Sequence, residues 1–261
     1  MDLGIANKRA LVLSASGGLG SAIAVALARE GATVCLAGRN EQALAAAAQR
    51  VRATGATAHS FVWDLAHGAQ WSAGIASVLQ RVGGIDILVN NTGGPPPGPA
   101  HGHALDIWRN AFESMVLSVI GITDLLLPGM RERGWGRVIT STSSGVVAPI
   151  VNLGLSNATR ISLLGWSKAL AREVAGQGVT VNVLIPGRIA TARTLSLDSA
   201  RARREGRDLA AVEAESAATI ALGRYGRPEE YADAVAFLAS ERAAYITGTT
   251  LRVDGGLIAS I

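Results

Sequence analysis

Short apolar runs alternate with segments of helical periodicity through the first ninety residues. The run 10–13 ends at small residues, and Leu19, Ile23 and Leu27 then recur at helical spacing, which predicts a strand, a tight turn and a helix. The same pattern predicts strands over 32–37, 57–63 and 85–89, and helices over 41–53 and 69–81. Near-continuous apolar strands that alternate with helices are typical of a parallel sheet covered on both faces.

The second half of the chain continues the alternation with longer helices. The segment 94–99 holds four prolines and two glycines and is predicted to be a stiff surface loop, because proline fixes φ and lacks a backbone donor. Helices are predicted over 105–133, 156–177 and 228–238, and strands over 136–142, 179–185 and 249–253. The expected fold is α/β, a Rossmann-type doubly wound parallel sheet of about seven strands in a single domain over 1–261.

The turn after the first predicted strand is a candidate phosphate cradle. Gly18 and Gly20 permit a close approach of the backbone, and the start of the following helix favours an anion. Dinucleotides bind beyond the carboxyl ends of such strands. Glycines also end strands and let helices pack closely, so the cluster alone leaves both interpretations open.

Composition narrows the class of protein. The 24 Lys and Arg residues exceed the 20 Asp and Glu residues by four, but the arginines are scattered and aromatic residues make up 4%, which argues against nucleic-acid binding. No run approaches the roughly 18 apolar residues of a membrane helix, and no metal site is predicted. The N-terminus lacks a signal-peptide pattern and Cys35 is the single cysteine, so a cytoplasmic protein with a buried, inert thiol is expected.

The order of several short motifs resembles the short-chain dehydrogenase/reductase family over nearly the whole chain. The matching motifs are Gly18-x-Gly20, Asp64, Asn90-Asn91-x-Gly93, Gly136-Arg137-Val138-Ile139, Pro186-Gly187-x-Ile189-x-Thr191, Gly226-Arg227-Pro228-Glu229-Glu230 and Asp254-Gly255-Gly256. Within the family the sequence is most similar to 3-oxoacyl-[acyl-carrier-protein] reductases and related carbonyl reductases. The resemblance implies hydride transfer between a nicotinamide cofactor and a small-molecule or acyl-thioester substrate. It also implies a homo-oligomer, a tetramer or dimer, formed through the helices 105–133 and 156–177.

The resemblance implies a set of cofactor-binding residues. They are Ser14, Ser16, Gly18, Leu19, Gly20, Arg39, Asp64, Leu65, Asn90, Gly93, Arg160, Pro186, Gly187, Ile189 and Thr191. Asp64 has an alternative interpretation as a helix cap, and Asn90 as a link between strands. The position after the second strand holds Gly38 followed by Arg39, and a cation without a carboxylate favours the 2′-phosphate of NADP over NAD.

The chain departs from the family pattern where the chemistry takes place. Ser143 aligns with the catalytic serine, but Ser156 and Arg160 stand where the family has Tyr-x-x-x-Lys. The family tyrosine protonates the alkoxide with a pKa lowered by the lysine one turn away. A serine is a far weaker acid, and arginine keeps its charge, although Arg160 can still hold the nicotinamide ribose or stabilise an oxyanion. Ser143, Ser156 and Arg160 are therefore the candidate catalytic residues.

Other departures concern the cradle and the long helix. Leu13-Ser14 replaces the Thr-Gly that opens the family cradle, which predicts an altered turn, and Met115 replaces a structural asparagine. His101 and His103 follow the proline-rich loop and are candidate proton donors or simply solvated side chains.

The segment 193–225 is a candidate substrate lid. Its first part, 193–208, carries five arginines against three acidic residues, which fits either a solvated helix or a mobile element that attracts an anionic substrate. The sequence leaves two main candidate functions open. One is an NADP-dependent oxidoreductase with a non-standard proton donor, and the other is a cofactor-binding pseudoenzyme or regulatory subunit. A non-redox lyase or epimerase on the same scaffold is a third possibility.

Overall fold

The computed structural model describes residues 2–261, and its centre is one seven-stranded sheet. The strands run in the order β3-β2-β1-β4-β5-β6-β7, and every neighbouring pair is parallel. Their bounds are β1 Arg9–Val12, β2 Thr33–Gly38, β3 Ala58–Val62, β4 Ile87–Asn90, β5 Gly136–Ser141, β6 Val179–Pro186 and β7 Thr250–Val253. The predicted fold class is confirmed.

Helices cover both faces of the sheet. Their bounds are α1 Gly18–Arg29, α2 Glu41–Arg52, α3 Gly68–Val82, α4 Leu105–Phe112, α5 Ser118–Glu132, α6 Gly154–Val174, α7 Ala192–Glu205, α8 Leu209–Ala218 and α9 Pro228–Leu238. One buried cluster lies under α1, α2 and α9, and a second lies under α3, α5 and α6. Such two-sided burial explains why the central strands are apolar at almost every position.

The predicted helix over 105–133 is not one regular helix, which corrects the sequence interpretation. A five-residue π-helical segment, Glu113–Leu117, joins α4 to α5. Within it the Ser114 hydroxyl donates to the Asn110 carbonyl at 2.8 Å, and the Ser118 hydroxyl donates to the Ser114 carbonyl at 2.8 Å. Hydroxyls that bond to carbonyls one turn back compete with the backbone ladder and favour such irregularity. Met115 packs there, 2% exposed.

The combined segment 105–132 is also the one described helix with the length and apolar composition to cross a bilayer. Packing accounts for the apolar positions along it, because Val119, Ile122 and Leu126 are buried against the helices and strands of the domain. The helix α6 begins two residues before the predicted start, and its last predicted residues, 175–177, form a 3₁₀ turn.

A buried carboxylate holds the amino end of the sheet, opposite the candidate site. Asp86 accepts hydrogen bonds from the guanidinium of Arg9 at 2.7 and 2.8 Å and from Nε of Arg133 at 3.1 Å. Burial alone would raise the pKa of Asp86, but the hydrogen bonds from Arg9 and the charges of both arginines outweigh it and lower the pKa. Through these two arginines, Asp86 joins the start of β1 to the end of α5.

Candidate active site

A cavity of about 760 Å³ opens at the carboxyl edge of the sheet. The segments that follow β1, β2, β4, β5 and β6 form it, together with the first two turns of α6 and one side of α7. The sequence-predicted residues that line it are Ser14, Ser16, Gly18, Leu19, Arg39, Gly93, Ser143, Ser156, Arg160, Pro186, Gly187, Ile189 and Thr191. The structure therefore brings the predicted cradle and the predicted catalytic residues to one place.

The cradle turn keeps a tight geometry without its first glycine. Ser14 has φ +49°, in the left-handed region that side chains disfavour, and Nδ2 of Asn91 donates to the carbonyls of Leu13 at 3.3 Å and Ser14 at 3.5 Å. Gly20 lies beneath the turn, where an added Cβ would come within 2.5 Å of the Ser14 oxygen. Gly20 therefore supports the turn and does not line the cavity, which corrects its predicted placement.

The cradle fits an anionic group. Gly18 has φ +53°, and no side chain caps the amino end of α1. The first backbone N–H groups of a helix without a side-chain cap remain available to a pyrophosphate, and the helix dipole favours negative charge there.

Three further predicted cofactor residues lie outside the lining of the cavity. Asp64 accepts from the Ala66 backbone N–H at 3.0 Å and lies 3.7 Å from Nη1 of Arg39. Leu65 packs against the apolar cluster under α3. Asn90 is fully buried, and its Nδ2 donates to Oγ1 of Thr123 at 3.1 Å, so it links β4 to α5 as its alternative interpretation expected.

The two candidate proton-donating histidines are also outside the lining. Nε2 of His103 lies 2.9 Å from the Pro99 carbonyl oxygen, and its ring meets Trp108 edge-on. His101 is exposed. The structure places neither imidazole where a substrate in the cavity would contact it.

Ser143 lies directly after β5, with a half-buried side chain at the start of a 3₁₀ turn. Its Oγ accepts a hydrogen bond from the Gly145 backbone N–H at 3.2 Å. This bond uses one of the two lone pairs of the hydroxyl oxygen and orients the group, and the hydroxyl hydrogen remains available to a substrate oxygen.

Ser156 lies in the first turn of α6 and is 6% exposed. The Asn157 side chain fixes this turn, accepting from the Ile150 N–H at 3.3 Å and donating to the Ile150 carbonyl at 2.8 Å. In the described residues the Ser156 hydroxyl makes no side-chain hydrogen bond shorter than 3.5 Å, so it is free to bind water or substrate within the cavity.

Arg160 lies one helical turn further along α6 and is 5% exposed. Its Nη2 donates to the carbonyls of Thr92 at 3.1 Å and Gly93 at 2.8 Å, and its Nη1 donates to the Ser141 carbonyl at 3.5 Å. Burial, helped by the charge of Arg193, lowers the pKa of Arg160 to about 10. The guanidinium is consequently still charged at neutral pH.

Tyr225 and Tyr231 do not supply a phenol to the cavity. Tyr231 is fully buried with its hydroxyl 2.8 Å from Oγ of Ser141, and burial raises its pKa. Tyr225 donates to Oδ2 of Asp198 at 2.8 Å. Within residues 2–261 no tyrosine, lysine or histidine lines the cavity. Its polar side chains are hydroxyls, guanidiniums, the amides of Asn91 and Asn152, and the carboxylate of Asp198.

Asn91 and Asp198 are among the lining residues that were not identified from the sequence as functional. Asn91 clamps the cradle turn, and its place in the motif Asn90-Asn91-x-Gly93 was the available signal. Asp198 is 1% exposed and pairs with Arg188; it is the one acidic residue between the arginines at 193 and 201, which was a weaker signal.

Comparisons with known proteins identify the family of this chain. A family model described as "Enoyl-(Acyl carrier protein) reductase" matches residues 14–258. The chain belongs to the short-chain dehydrogenase/reductase family of oxidoreductases.

Among its relatives is the 3-oxoacyl-[acyl-carrier-protein] reductase FabG of Escherichia coli, 38% identical over 257 residues, which cover 96% of this chain and 97% of that protein. Dehydrogenase/reductase SDR family member 4 of Oryctolagus cuniculus is 34% identical over 97% of this chain and 94% of its own.

Solved structures give the same family. L-Sorbose reductase from Gluconobacter frateurii, complexed with NADPH and L-sorbose, superposes with a TM-score of 0.94 at 33% identity over the full length of both chains. A xylitol dehydrogenase bound to NAD+ superposes with a TM-score of 0.90 at 25% identity over 97% of this chain and 99% of that one. Both nicotinamide cofactors therefore occur among the structural neighbours.

The left-handed conformation of Ser14 predicts that Ser14→Gly stabilises the protein. Release of about 1–2 kcal/mol of strain exceeds the entropy that glycine adds to the unfolded chain, so the free energy of unfolding should rise by roughly 0.5–1 kcal/mol in urea titrations. Ser16→Gly is the matched control, because Ser16 has no positive φ and should only lose stability. A lower urea midpoint for Ser14→Gly would contradict the analysis of this turn.

Proposed function

We propose that the protein is an NADP(H)-dependent oxidoreductase that interconverts a carbonyl and an alcohol by hydride transfer. The observation that carries the proposal is the single cavity in which a phosphate cradle meets Ser143, Ser156 and Arg160. NADPH is bound to L-sorbose reductase, which shares the fold over its full length. The proposed substrate is a small carbonyl compound or an acyl thioester, in keeping with FabG among the relatives.

Residues of this chain would hold the cofactor along the cavity. Gly18 and the amino end of α1 would bind the pyrophosphate, Arg39 the 2′-phosphate and Thr191 the nicotinamide side. Asp64 would approach the adenine through the surface beside Arg39. When bound, the cofactor supplies the hydride.

The chain's own residues would stabilise the reacting oxygen. Ser143 would donate a hydrogen bond to the substrate carbonyl, and the buried charge of Arg160 would stabilise the alkoxide that forms. Because no phenol lines the cavity, we propose that water bound by the Ser156 hydroxyl supplies the proton. Electrostatic stabilisation by a fixed charge would then carry more of the catalysis than proton transfer from a tuned acid.

A specific observation favours a second candidate, a cofactor-binding protein without efficient turnover. Arg160 has bonds to three backbone carbonyls, so its guanidinium is committed to the protein. A site of that kind can bind a nucleotide and still lack a proton donor for the chemistry.

The experiment that separates these functions uses NADPH deuterated at C4 of the nicotinamide. The purified protein is incubated with ketones and oxoacyl thioesters, and deuterium in the alcohol product is measured by mass spectrometry. Deuterated alcohol supports the oxidoreductase. Tight NADPH binding without labelled product on the whole panel would favour the second candidate.

Arg39 is the basis of a prediction about cofactor choice. Its side chain is 76% exposed next to Gly38, where a 2′-phosphate would lie. Arg39→Asp replaces attraction by repulsion and should weaken NADPH binding by roughly 10- to 100-fold with little change for NADH. Fluorescence titration measures both constants, and Arg39→Gln serves as the control that removes the charge without adding an opposite one. Equal affinity of the parent protein for both cofactors would refute the assignment.

The altered pair predicts the outcome of restoring the family motif. Ser156→Tyr with Arg160→Lys should lose native turnover and gain none, because a single ammonium cannot bond to the three carbonyls that Arg160 holds. An unsatisfied buried carbonyl costs about 1–3 kcal/mol, so the melting temperature should also fall by several degrees.

The control for that pair is Arg172→Lys, the same exchange at an exposed position of α6, which should leave the melting temperature unchanged. A double variant that reduced simple ketones faster than the parent, by the roughly 10²–10⁴ that a positioned acid contributes, would show that the site was not rebuilt around arginine.

We propose a homotetramer or dimer formed through α4, α5 and α6. Exposed apolar side chains on these helices are Leu105, Ile107, Phe112, Leu125 and Ile161. Several such side chains on adjoining helices are typical of an interface. Light scattering at micromolar concentration should give a multiple of the 26.8 kDa chain mass, and Phe112→Glu with Ile161→Glu should lower it. A monomer mass for the parent protein would overturn this proposal.

The proposed location is the cytoplasm, without a nucleic-acid or membrane partner. The FabG relatives are named as reductases of acyl-carrier-protein substrates, which supports this location. Cys35 is a free thiol buried in β2. Burial raises the pKa of that thiol to about 12, so it stays protonated and unreactive.

A further inference from the structure

Arginines dominate the charge of the cavity. Those that line it are Arg39, Arg160, Arg188, Arg193, Arg201 and Arg204, against the single carboxylate of Asp198. Four of the six have a carboxylate within 4 Å: Asp64 for Arg39, Asp198 for Arg188, and Glu205 for both Arg201 and Arg204. Within residues 2–261, Arg160 and Arg193 form no such pair.

These two unpaired cations converge on one short segment after β4. Arg160 donates to the Gly93 carbonyl at 2.8 Å, and Nη2 of Arg193 donates to the Pro95 carbonyl at 2.7 Å. Between them lies Gly94, where an added Cβ would come within 3.0 Å of Nη2 of Arg193. The guanidinium of Arg193 therefore lies directly against the backbone of this segment.

Arg160 is buried and Arg193 is exposed, and their two charges act on each other. Burial, and after it the charge of Arg193, lowers the pKa of Arg160. Partial desolvation of its guanidinium also lowers the pKa of Arg193. A guanidinium has five N–H donors, and the bond to Pro95 is the one hydrogen bond that the Arg193 guanidinium makes with the described residues. A planar donor with unused N–H groups in a positive cavity matches a carboxylate.

The loop that Arg193 contacts begins at Gly93, a predicted cofactor residue, and extends to the substrate side of the cavity. The same loop continues to Gly98, whose N–H donates to the Asn152 carbonyl at 2.8 Å and whose carbonyl accepts from the Gly154 N–H at 3.0 Å. Gly154 begins α6, which carries Ser156. Arg193 is thus bound to the loop that leads to the candidate catalytic residues, whereas the cradle has its own anion donors at the start of α1.

We propose that Arg193 is a specificity-determining residue that binds a carboxylate of the substrate, so that the enzyme selects oxo acids over neutral ketones. The proposal rests on the proposed function, since it names the substrate class of the same site. A phosphate of the cofactor, like a carboxylate, is an anion that accepts hydrogen bonds from a guanidinium. The experiment below distinguishes a substrate carboxylate from a cofactor phosphate.

The test compares acids with their methyl esters, which share the carbonyl and differ in charge. Acetoacetate, levulinate and 2-oxobutanoate, each with its methyl ester, are titrated by calorimetry into the full-length protein saturated with NADP+. We expect the parent protein to bind at least one acid more tightly than its ester. Arg193→Gln should weaken acid binding by roughly 10- to 100-fold and leave ester binding and the NADPH dissociation constant within about twofold.

The matched control is Arg204→Gln, which removes a charge from the same cavity and the same helix, but from a guanidinium already beside Glu205. It should retain the preference for acids. An acid-to-ester ratio unchanged by Arg193→Gln would overturn the proposal. Weaker NADPH binding in Arg193→Gln with an unchanged ratio would also overturn it, and would assign Arg193 to the cofactor.

These binding measurements do not require turnover, so the two proposals fail separately. A preference for acids that depends on Arg193, without deuterium transfer from labelled NADPH, would support the carboxylate site and contradict the redox function. Deuterium transfer to neutral ketones and to oxo acids at equal efficiency, in parent and variant alike, would support the redox function and overturn the carboxylate site.

Discussion

A buried guanidinium without a carboxylate partner is the constraint on which the geometry of the candidate active site depends. Charge in a protein interior must be compensated by hydrogen bonds, and Arg160 finds its acceptors in the backbone carbonyls that emerge beyond β4 and β5. A parallel sheet presents such carbonyls at its carboxyl edge, so the fold itself supplies the compensation. The three bonds hold α6 against the sheet and thereby place Ser156 and the segment after β4.

A fixed charge at the position of Arg160 allows different chemistry from an ionising pair. A phenol beside an ammonium both stabilises an alkoxide and protonates it, whereas a guanidinium performs the first task alone. The buried Tyr231 does not restore the second task, because its hydroxyl is bonded to Ser141 and burial raises its pKa. A positive charge at the cavity is the property that Arg160 and Arg193 share, and it links the proposed catalytic role of the first to the proposed specificity role of the second.

Sequence periodicity predicts the sheet well because parallel strands buried on both faces must be apolar at almost every position. It cannot predict the π-helical segment at 113–117, since hydroxyls of serines decide that irregularity and not the apolar pattern. The motifs locate the cradle, but Gly20 and Asn90 serve the packing around it. Ser14 adopts a glycine-like φ because Asn91 holds its carbonyl, a long-range contact that no local pattern encodes.

Gly154 limits how this cavity can diverge. Its α-carbon faces the proline-rich loop so closely that an added Cβ would come within 2.7 Å of the Pro99 oxygen, and backbone bonds join the two segments on either side of it. The loop and the first turn of α6 therefore form one rigid wall, and a mutation that reshapes the loop also displaces the serine behind it. The helix α7 has no comparable backbone link to that wall. Substitutions on the cavity side of α7 can therefore change the lining of the cavity without displacing Ser156.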